Sequence, residues 1–509
     1  MQNGFSKKEI KASLIIVGIV IIEKILAFGK SVVFAYFFGA HANTDLYYLA
    51  TNVVSLFNSC FNTSVPIAFL AVFINKGLRK KDTITQGKVM SNVVSSFLMI
   101  AICLTCILFM FAPFIEGRLA PTTSTNINDS LCAYIRILSF IIVIYCLSGV
   151  FSASLECLEI YWPSKLASLF ESIMAILFAF FLGKKYGVIV AIFATLVGIS
   201  GHAIFAYCIL RKHRVVHFCK PKIDSNVKSI LFLSGPMMIG VGITSINSLV
   251  DKIIAKNLTG GAVSALNYAS LLSVELITAV LVTAVSSIIT SKFAENIIQK
   301  DSDALSQNIN FVLFLMLIIA IPVAIVFLGI PQSIITLVYE RGAFDLEATK
   351  LTVAAFRGYS VGLFALPFRE IFIRVQYSYQ DSKRPMINSV ICVLLNVFCS
   401  VTLSRYCGVM GIALATSISI VVNSFLSYKC IRKFSGINIK IDKNSLIKMF
   451  AIGIITEGIL QLLKKTLPIN NGFLYVAGSG IFVFIIYLLI NYIFNKKYFV
   501  LLLEWGKVK

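Results

Sequence analysis

Apolar runs of about 20 residues, separated by short polar or basic stretches, recur along this chain from residue 12 to residue 495. Twenty helical residues rise about 30 Å, the thickness of a bilayer's hydrocarbon core. The pattern predicts about 14 membrane-spanning helices. Their approximate boundaries are 12–38, 46–75, 89–113, 132–153, 164–183, 187–210, 227–255, 262–291, 308–330, 349–377, 385–404, 407–430, 446–464 and 472–495. No long polar insert interrupts them, so the fold class is all-α integral membrane, one membrane domain throughout. Lys7, Lys8 and Lys11 ahead of the first run imitate the opening of a signal peptide. That run is too long, too charged and without a small-residue cleavage site, which predicts an uncleaved first span.

Composition agrees: 58% of residues are hydrophobic and 13% charged, against about 25% charged in soluble domains. The net charge of +22 invites a nucleic-acid reading, which the location of the charges excludes. With the N-terminus in the cytoplasm, about 29 Lys and Arg fall on the cytoplasmic side and about 9 outside, the positive-inside bias. The inner clusters are Lys76/Arg79/Lys80/Lys81, Arg211/Lys212/Arg214 and Lys429/Arg432/Lys433, suited to anionic lipid. Lys184/Lys185 and Lys464/Lys465 fall outside. An even span count leaves both termini cytoplasmic. The 12 cysteines lie mostly within apolar spans, where Cys acts as a small hydrophobe. Cys103 and Cys106 have no further ligands at metal spacing, so neither disulfide framework nor metal site is expected. His41, His202, His213 and His217 form no cluster.

The chain repeats itself at an offset of about 221 residues. Gly187–Thr195 matches Gly408–Thr416, Pro163 corresponds to Pro385, and Leu46-Tyr47-Tyr48 corresponds more weakly to Leu266-Asn267-Tyr268. Six spans per unit is an even number, so both units enter the membrane in the same direction. This predicts two parallel six-helix lobes, residues 1–222 and 223–434, plus a C-terminal helix pair at 435–509. Parallel repeats of this kind occur in transporters that rock two lobes about a cleft.

Charges inside the spans carry the chemistry. The first span holds Glu23, Lys24 and Lys30, and a charge near the bilayer midplane costs at least about 2.5–3.5 kcal/mol. Lys24 and Lys30 are separated by about 9 Å of rise and about 120° of rotation. Two long side chains so placed can converge on a large anion, although Lys30 also lies within reach of the outer headgroups. Asp45 opens the second span, either as a helix cap with Thr44 or as a functional acid. Asp251 and Lys252 lie in span seven, and Arg357, Arg369, Glu370 and Arg374 in span ten. Glu370 points about 100° away from Arg369. Glu171, Glu275 and Glu457 stand as isolated acids. A cavity lined by Lys and Arg suits a phosphate or diphosphate. The chain has no GxxxxGK[ST] loop for nucleotide hydrolysis, and no catalytic constellation marks it as an enzyme.

Glu23-Lys24-Ile25-Leu26-Ala27-Phe28-Gly29-Lys30, Phe38-Gly39-Ala40 and Thr44-Asp45 together resemble the first-span signature of the MurJ (MviN) family. Val338–Asp345, Tyr359–Leu363 and Tyr377–Asp381 with Pro385 are similar to further stretches of that family. Its members flip lipid II, the undecaprenyl-diphosphate-linked peptidoglycan precursor, and belong to the multidrug/oligosaccharidyl-lipid/polysaccharide exporter superfamily. The resemblance implies that Lys24 and Lys30 take the place of two family arginines, that Asp45 matches the family aspartate, and that Arg374 matches an arginine of span ten. It also exposes departures. Basic family positions fall near Asn58 and near Ser270, both neutral, and an acidic Glu-Gly falls on Thr63-Ser64.

The expected function is therefore a flippase carrying a polyprenyl-diphosphate-linked glycan precursor, lipid II foremost, to the outer leaflet of a bacterial inner membrane. Lys24, Lys30, Asp45, Arg369 and Arg374 are the substrate-binding candidates, with Asn58, Asp251, Lys252, Ser270, Arg357 and Glu370 as secondary ones. The driving force is expected to be the membrane potential or a Na+ or H+ gradient, with no cofactor. Expected partners are the lipid-linked anionic glycan, the phospholipid membrane and cell-envelope synthesis proteins, around a monomeric chain. Alternatives are a flippase for another lipid-linked oligosaccharide, an ion-coupled drug or metabolite antiporter, and a non-transporting envelope scaffold. An antiporter would place acids, not lysines, at the centre.

Overall fold

The computed structural model describes residues 7–78, 82–119, 131–213, 219–281, 293, 296–299, 301–379, 381, 383–434, 440–466 and 472–507. Arg79, Lys80, Lys81, Arg214, His217 and residues 282–291 of the expected eighth span lie outside them, as do the side chains of Lys7, Lys8, Lys11 and Lys465.

Every regular element among the described residues is helical. The first is α1 (Lys7–Phe38), then α2 (Ala42–Ser59), a π turn (Cys60–Ser64), α3 (Val65–Asn75), α4 (Thr83–Leu119), α5 (Leu131–Ser139) and α6 (Ile141–Cys157). A 3-10 turn (Pro163–Leu166) leads into α7 (Ala167–Tyr186), followed by α8 (Ile189–Lys212), α9 (Ser225–Lys256), α10 (Ala262–Ser270) and a second π turn (Leu271–Glu275). The remainder comprises α11 (Ser302–Gly329), α12 (Pro331–Val338), α13 (Leu346–Gly362), α14 (Leu366–Ser378), α15 (Lys383–Phe434), α16 (Lys443–Thr466), α17 (Phe473–Phe494) and α18 (Lys496–Lys507).

Among the described residues, 10 helices are long and apolar enough to cross a membrane, or up to 12 if each of two bent pairs is one span. This is fewer than the 14 expected. One of them, Lys383–Lys433, covers two expected spans, 385–404 and 407–430, because its helices are joined at Gly408 without a gap. The first expected span coincides with α1, which is 32 residues long and outside that count.

Local chemistry places the helix ends. Asp224, Asp301 and Asp345 cap α9, α11 and α13, each carboxylate accepting from a first-turn N–H at 2.8–3.0 Å; such caps are worth about 1 kcal/mol apiece. Within spans, hydroxyls bond back to their own helix, as Ser154 does to Val150, Thr195 to Ala191 and Thr456 to Ile452. Hydrocarbon offers no water to satisfy them, so the nearest carbonyl four residues back does.

The sequence repeat has a backbone counterpart. Gly187 and Gly408, paired in the repeat, have φ of 65° and 55° with ψ of −154° and −133°. Only glycine adopts that region without strain. Gly39 (φ 61°) and Gly261 (φ 89°), which precede the second and eighth spans, form a similar pair.

The chain divides into two compact units. The first is Met1–Ser264 with Gly342–Phe344, and the second is Ala265–Arg341 with Asp345–Lys509. In the first, close approach of helices relies on glycine. A methyl group at Gly198 of α8 would stand 2.6 Å from the Glu171 Cα on α7, and one at Gly149 of α6 would strike the Phe61 carbonyl in the π turn. Buried His202 joins α6, α8 and the 3-10 turn, its ring nitrogens 2.8 Å from the Ser148 hydroxyl and 3.0 Å from the Pro163 carbonyl. Ala343 also belongs to this unit: its N–H donates to the Tyr36 carbonyl at 2.8 Å, and its own carbonyl lies 3.0 Å from His41 Nε2.

In the second unit, α11 forms the centre of two apolar clusters. One gathers Leu313, Met316 and Ala320 with residues of α14 and α15. The other gathers Phe314, Leu317 and Ile321 with Met449, Ile452, Val483 and Tyr487, which docks α16 and α17 on α11. Asp442, just ahead of α16, fastens α18: it accepts from Lys497, from the Tyr498 hydroxyl at 3.0 Å and from the Ser445 hydroxyl at 2.9 Å.

Candidate functional site

Lys24 and Lys30 of the first span are each matched by a carboxylate. Lys30 Nζ donates to Glu171 Oε1 at 2.6 Å, across 141 residues of sequence. Both side chains are about one-fifth exposed, at 22% and 23%. The ammonium also lies 5.8 Å from the centre of the Phe34 ring. Lys30 therefore turns toward α7 and does not extend to the headgroups. Lys24, 44% exposed, pairs with its neighbour Glu23 at 3.3 Å. The two lysines thus bind separate carboxylates, which rotation about α1 makes natural.

Glu171, read from sequence as an isolated acid, is the partner that sequence reasoning missed. Opposite charges at membrane depth on different spans are the one signal that could have found it. Close packing against Gly198 fixes its backbone. Glu171 lines a cavity of about 230 Å³ in the first unit with Asn58, Tyr145, Ser148, Ser152 and Ser168. Glu156 and Lys165, 3.8 Å apart, lie at the same cavity.

Asp45, expected to assist at the substrate, is engaged otherwise in this structure. It is 1% exposed. One oxygen accepts the Gly261 N–H at 2.7 Å, and the other accepts the Ser264 N–H at 2.7 Å and the Ser264 hydroxyl at 2.5 Å. These donors lie just ahead of α10 and in its first turn, where backbone N–H groups have no intrahelical partner and the helix dipole favours an anion. Asp45 caps a helix, but not its own. Thr44 bonds back to the Phe38 carbonyl at 2.8 Å, closing the turn between α1 and α2.

The remaining candidates are placed as follows. Asp251 and Lys252 are buried, and the Lys252 ammonium stands 6.0 Å from the Tyr48 ring centre. Asn58 accepts a short hydrogen bond from Asn62 at the entry to the first π turn. In the second unit, Ser270 directly precedes the other π turn and donates to Glu275 at 3.2 Å. Arg357 is exposed and Arg374 half-buried. Arg369 and Glu370 do pair, contrary to the 100° separation of neighbouring positions: the guanidinium donates to Glu370 Oε1 through Nε at 3.2 Å and Nη2 at 2.7 Å. A long Arg side chain spans that rotation. A half-buried Arg whose fork is already engaged has fewer donors left for a ligand.

The second unit also carries an apolar groove of about 360 Å³, lined by Phe364, Phe368, Phe372, Phe425, Tyr428 and Phe450 among others.

Helices of bilayer length and paired repeats define a multi-pass membrane protein of transporter type. The lipid II flippase MurJ family matches residues 34–491, and the chain belongs to that family. Among its curated relatives, "Probable lipid II flippase MurJ" of Treponema pallidum is 23% identical over 446 residues, covering 83% of this chain and 82% of the relative. The protein of the same name from Borreliella burgdorferi is 24% identical over 443 residues, covering 85% of each. A solved structure titled "Lipid II flippase MurJ, inward closed conformation" superposes with a TM-score of 0.81 at 22% identity, over 95% of this chain and 99% of that one. An inward-facing multidrug resistance MATE transporter of the MOP superfamily is more distant in fold, with a TM-score of 0.67 at 15% identity.

Proposed function

We propose that this chain carries lipid II from the inner to the outer leaflet of a bacterial cytoplasmic membrane by alternating access. The observation that carries the reading is the family match over residues 34–491. Lysines at membrane depth accord with it, since a diphosphate needs compensating cations in a medium of low dielectric. In this reading Lys30 and Lys24 of the first unit hold the diphosphate; Arg374 and Arg369 stay the basic candidates of the second unit. Lysines lack the bidentate fork of arginine, so they act here as point charges on flexible stems. Asp45 keeps the first turn of α10 in place. The aromatic groove of the second unit, taken by itself, is an apolar surface suited to a prenyl chain. The chain works as a monomer with both termini cytoplasmic, drawing on the membrane potential or a Na+ or H+ gradient.

The test is complementation. A host depleted of its own lipid II flippase is expected to grow when this chain is expressed, and to lose that rescue with Lys30→Ala. No rescue by the folded, membrane-inserted chain, together with failed export of another lipid-linked glycan in a deletion strain of the source organism, would reassign the cargo.

A further inference from the structure

The carboxylates of the first unit differ in how firmly they are held. Asp45 is held by backbone donors that cannot leave while α10 stands. Glu23 and Lys24 are neighbours on a more exposed face, where an ion pair contributes little. Lys30 and Glu171 form a third kind. The carboxylate sits on a rigid backbone wedged against Gly198, whereas the ammonium ends a four-carbon stem free to swing.

Removing one partner of a dry buried pair is strongly unfavourable, because the other charge is stranded. Glu171 escapes most of that penalty. It faces the cavity of about 230 Å³ lined by Ser148, Ser152, Ser168 and Asn58, which has room and polar partners for water. Lys30 can therefore leave Glu171 at modest cost, but only for an anion that binds it better than one carboxylate does.

We infer that Glu171 is the resident counter-anion of Lys30, exchanged for the diphosphate of the substrate, and that this exchange selects diphosphates over singly charged phosphodiesters. The inference rests on the assignment of Lys30 to the diphosphate. Its consequence is discrimination against bulk phospholipid, whose single headgroup phosphate competes poorly with a carboxylate at 2.6 Å. Selectivity is then obtained by raising the barrier to the wrong ligand and not only by attracting the right one. A resident anion also assists release, since it reclaims the lysine when the diphosphate departs.

The experiment uses the full chain in nanodiscs and measures binding of inorganic pyrophosphate and orthophosphate by calorimetry. Glu171→Gln is expected to tighten pyrophosphate binding about tenfold, near the lower end of the coupling measured for close charge pairs, and to tighten orthophosphate by a larger factor, so that discrimination falls. Glu171→Asp keeps the charge with a shorter reach and is expected to lie between Gln and wild type, which keeps the test open if the Gln variant does not fold. Lys30→Gln should weaken pyrophosphate in both the wild-type and Glu171→Gln backgrounds. If Glu171→Gln leaves both affinities unchanged or weaker while Lys30→Gln still weakens pyrophosphate, the counter-anion role is overturned and the role of Lys30 stands. If Lys30→Gln binds pyrophosphate as wild type does, both are overturned.

Discussion

Replacing Asp45 by alanine removes the acceptor for three hydrogen bonds at a site 1% exposed to solvent. The Ser264 hydroxyl can rotate to a carbonyl of its own helix, so its loss is partly repaired. The N–H groups of Gly261 and Ser264 cannot turn, because the helix start fixes them, and no water reaches them. Each stranded buried donor costs about 1–3 kcal/mol in water-soluble proteins. Within a membrane the unfolded reference state also finds partners, and measured bonds there average about 0.6 kcal/mol with a maximum near 1.7. Two stranded donors plus the lost attraction between carboxylate and helix dipole therefore predict a destabilisation of about 2–4 kcal/mol. Asp45→Asn keeps one carbonyl oxygen and should lose about 1–2 kcal/mol; Ser264→Ala, which keeps both backbone bonds, should lose about 1 kcal/mol. Equilibrium unfolding of the full chain in mixed detergent–SDS micelles measures all three. The reasoning fails if Asp45→Ala unfolds with wild type, or if Ser264→Ala costs as much as Asp45→Ala, since the carboxylate would then not be the organising group.

Further expectations follow from the same geometry. Gly198→Ala places a carbon 2.6 Å from the Glu171 Cα and should destabilise by about 1–3 kcal/mol through forced separation of α7 and α8; unfolding identical to wild type would show that the helices give way freely. In complementation, Lys30→Arg should rescue growth because a guanidinium suits diphosphate, whereas Lys30→Ala should fail and Lys24→Ala should rescue partially; full rescue by Lys30→Ala would remove it from the binding role. Burial pushes the Asp442 carboxyl up, but hydrogen bonds from Lys497, Ser445 and Tyr498 outweigh it and hold the group well below the usual carboxylate range. Its pinning of α18 is therefore complete above about pH 4, the ordinary value, and fades as pH falls through the depressed folded value. Hydrogen exchange of residues 496–501 should accelerate on acidification below that point, and Asp442→Asn should match it at neutral pH; unchanged protection in Asp442→Asn would refute the anchor.

What could be read from the chain alone was local and periodic. Span length depends on consecutive apolar residues, so the helices and the membrane class were legible without any partner. The repeat was legible because its turns demand glycine: Gly187 and Gly408 share a backbone region closed to other residues. The anomalous cost of Lys24 and Lys30 within an apolar run was equally local. Tertiary structure decided the rest. Lys30 meets Glu171 across 141 residues, and Asp45 meets Gly261 and Ser264 across 216 and 219. Such pairings depend on helix rotation and on how closely backbones approach, which Gly149 and Gly198 permit. A charge announces itself in sequence because its desolvation cost is paid wherever it goes. Its partner does not, because any of a dozen helices can supply one, and only packing selects which.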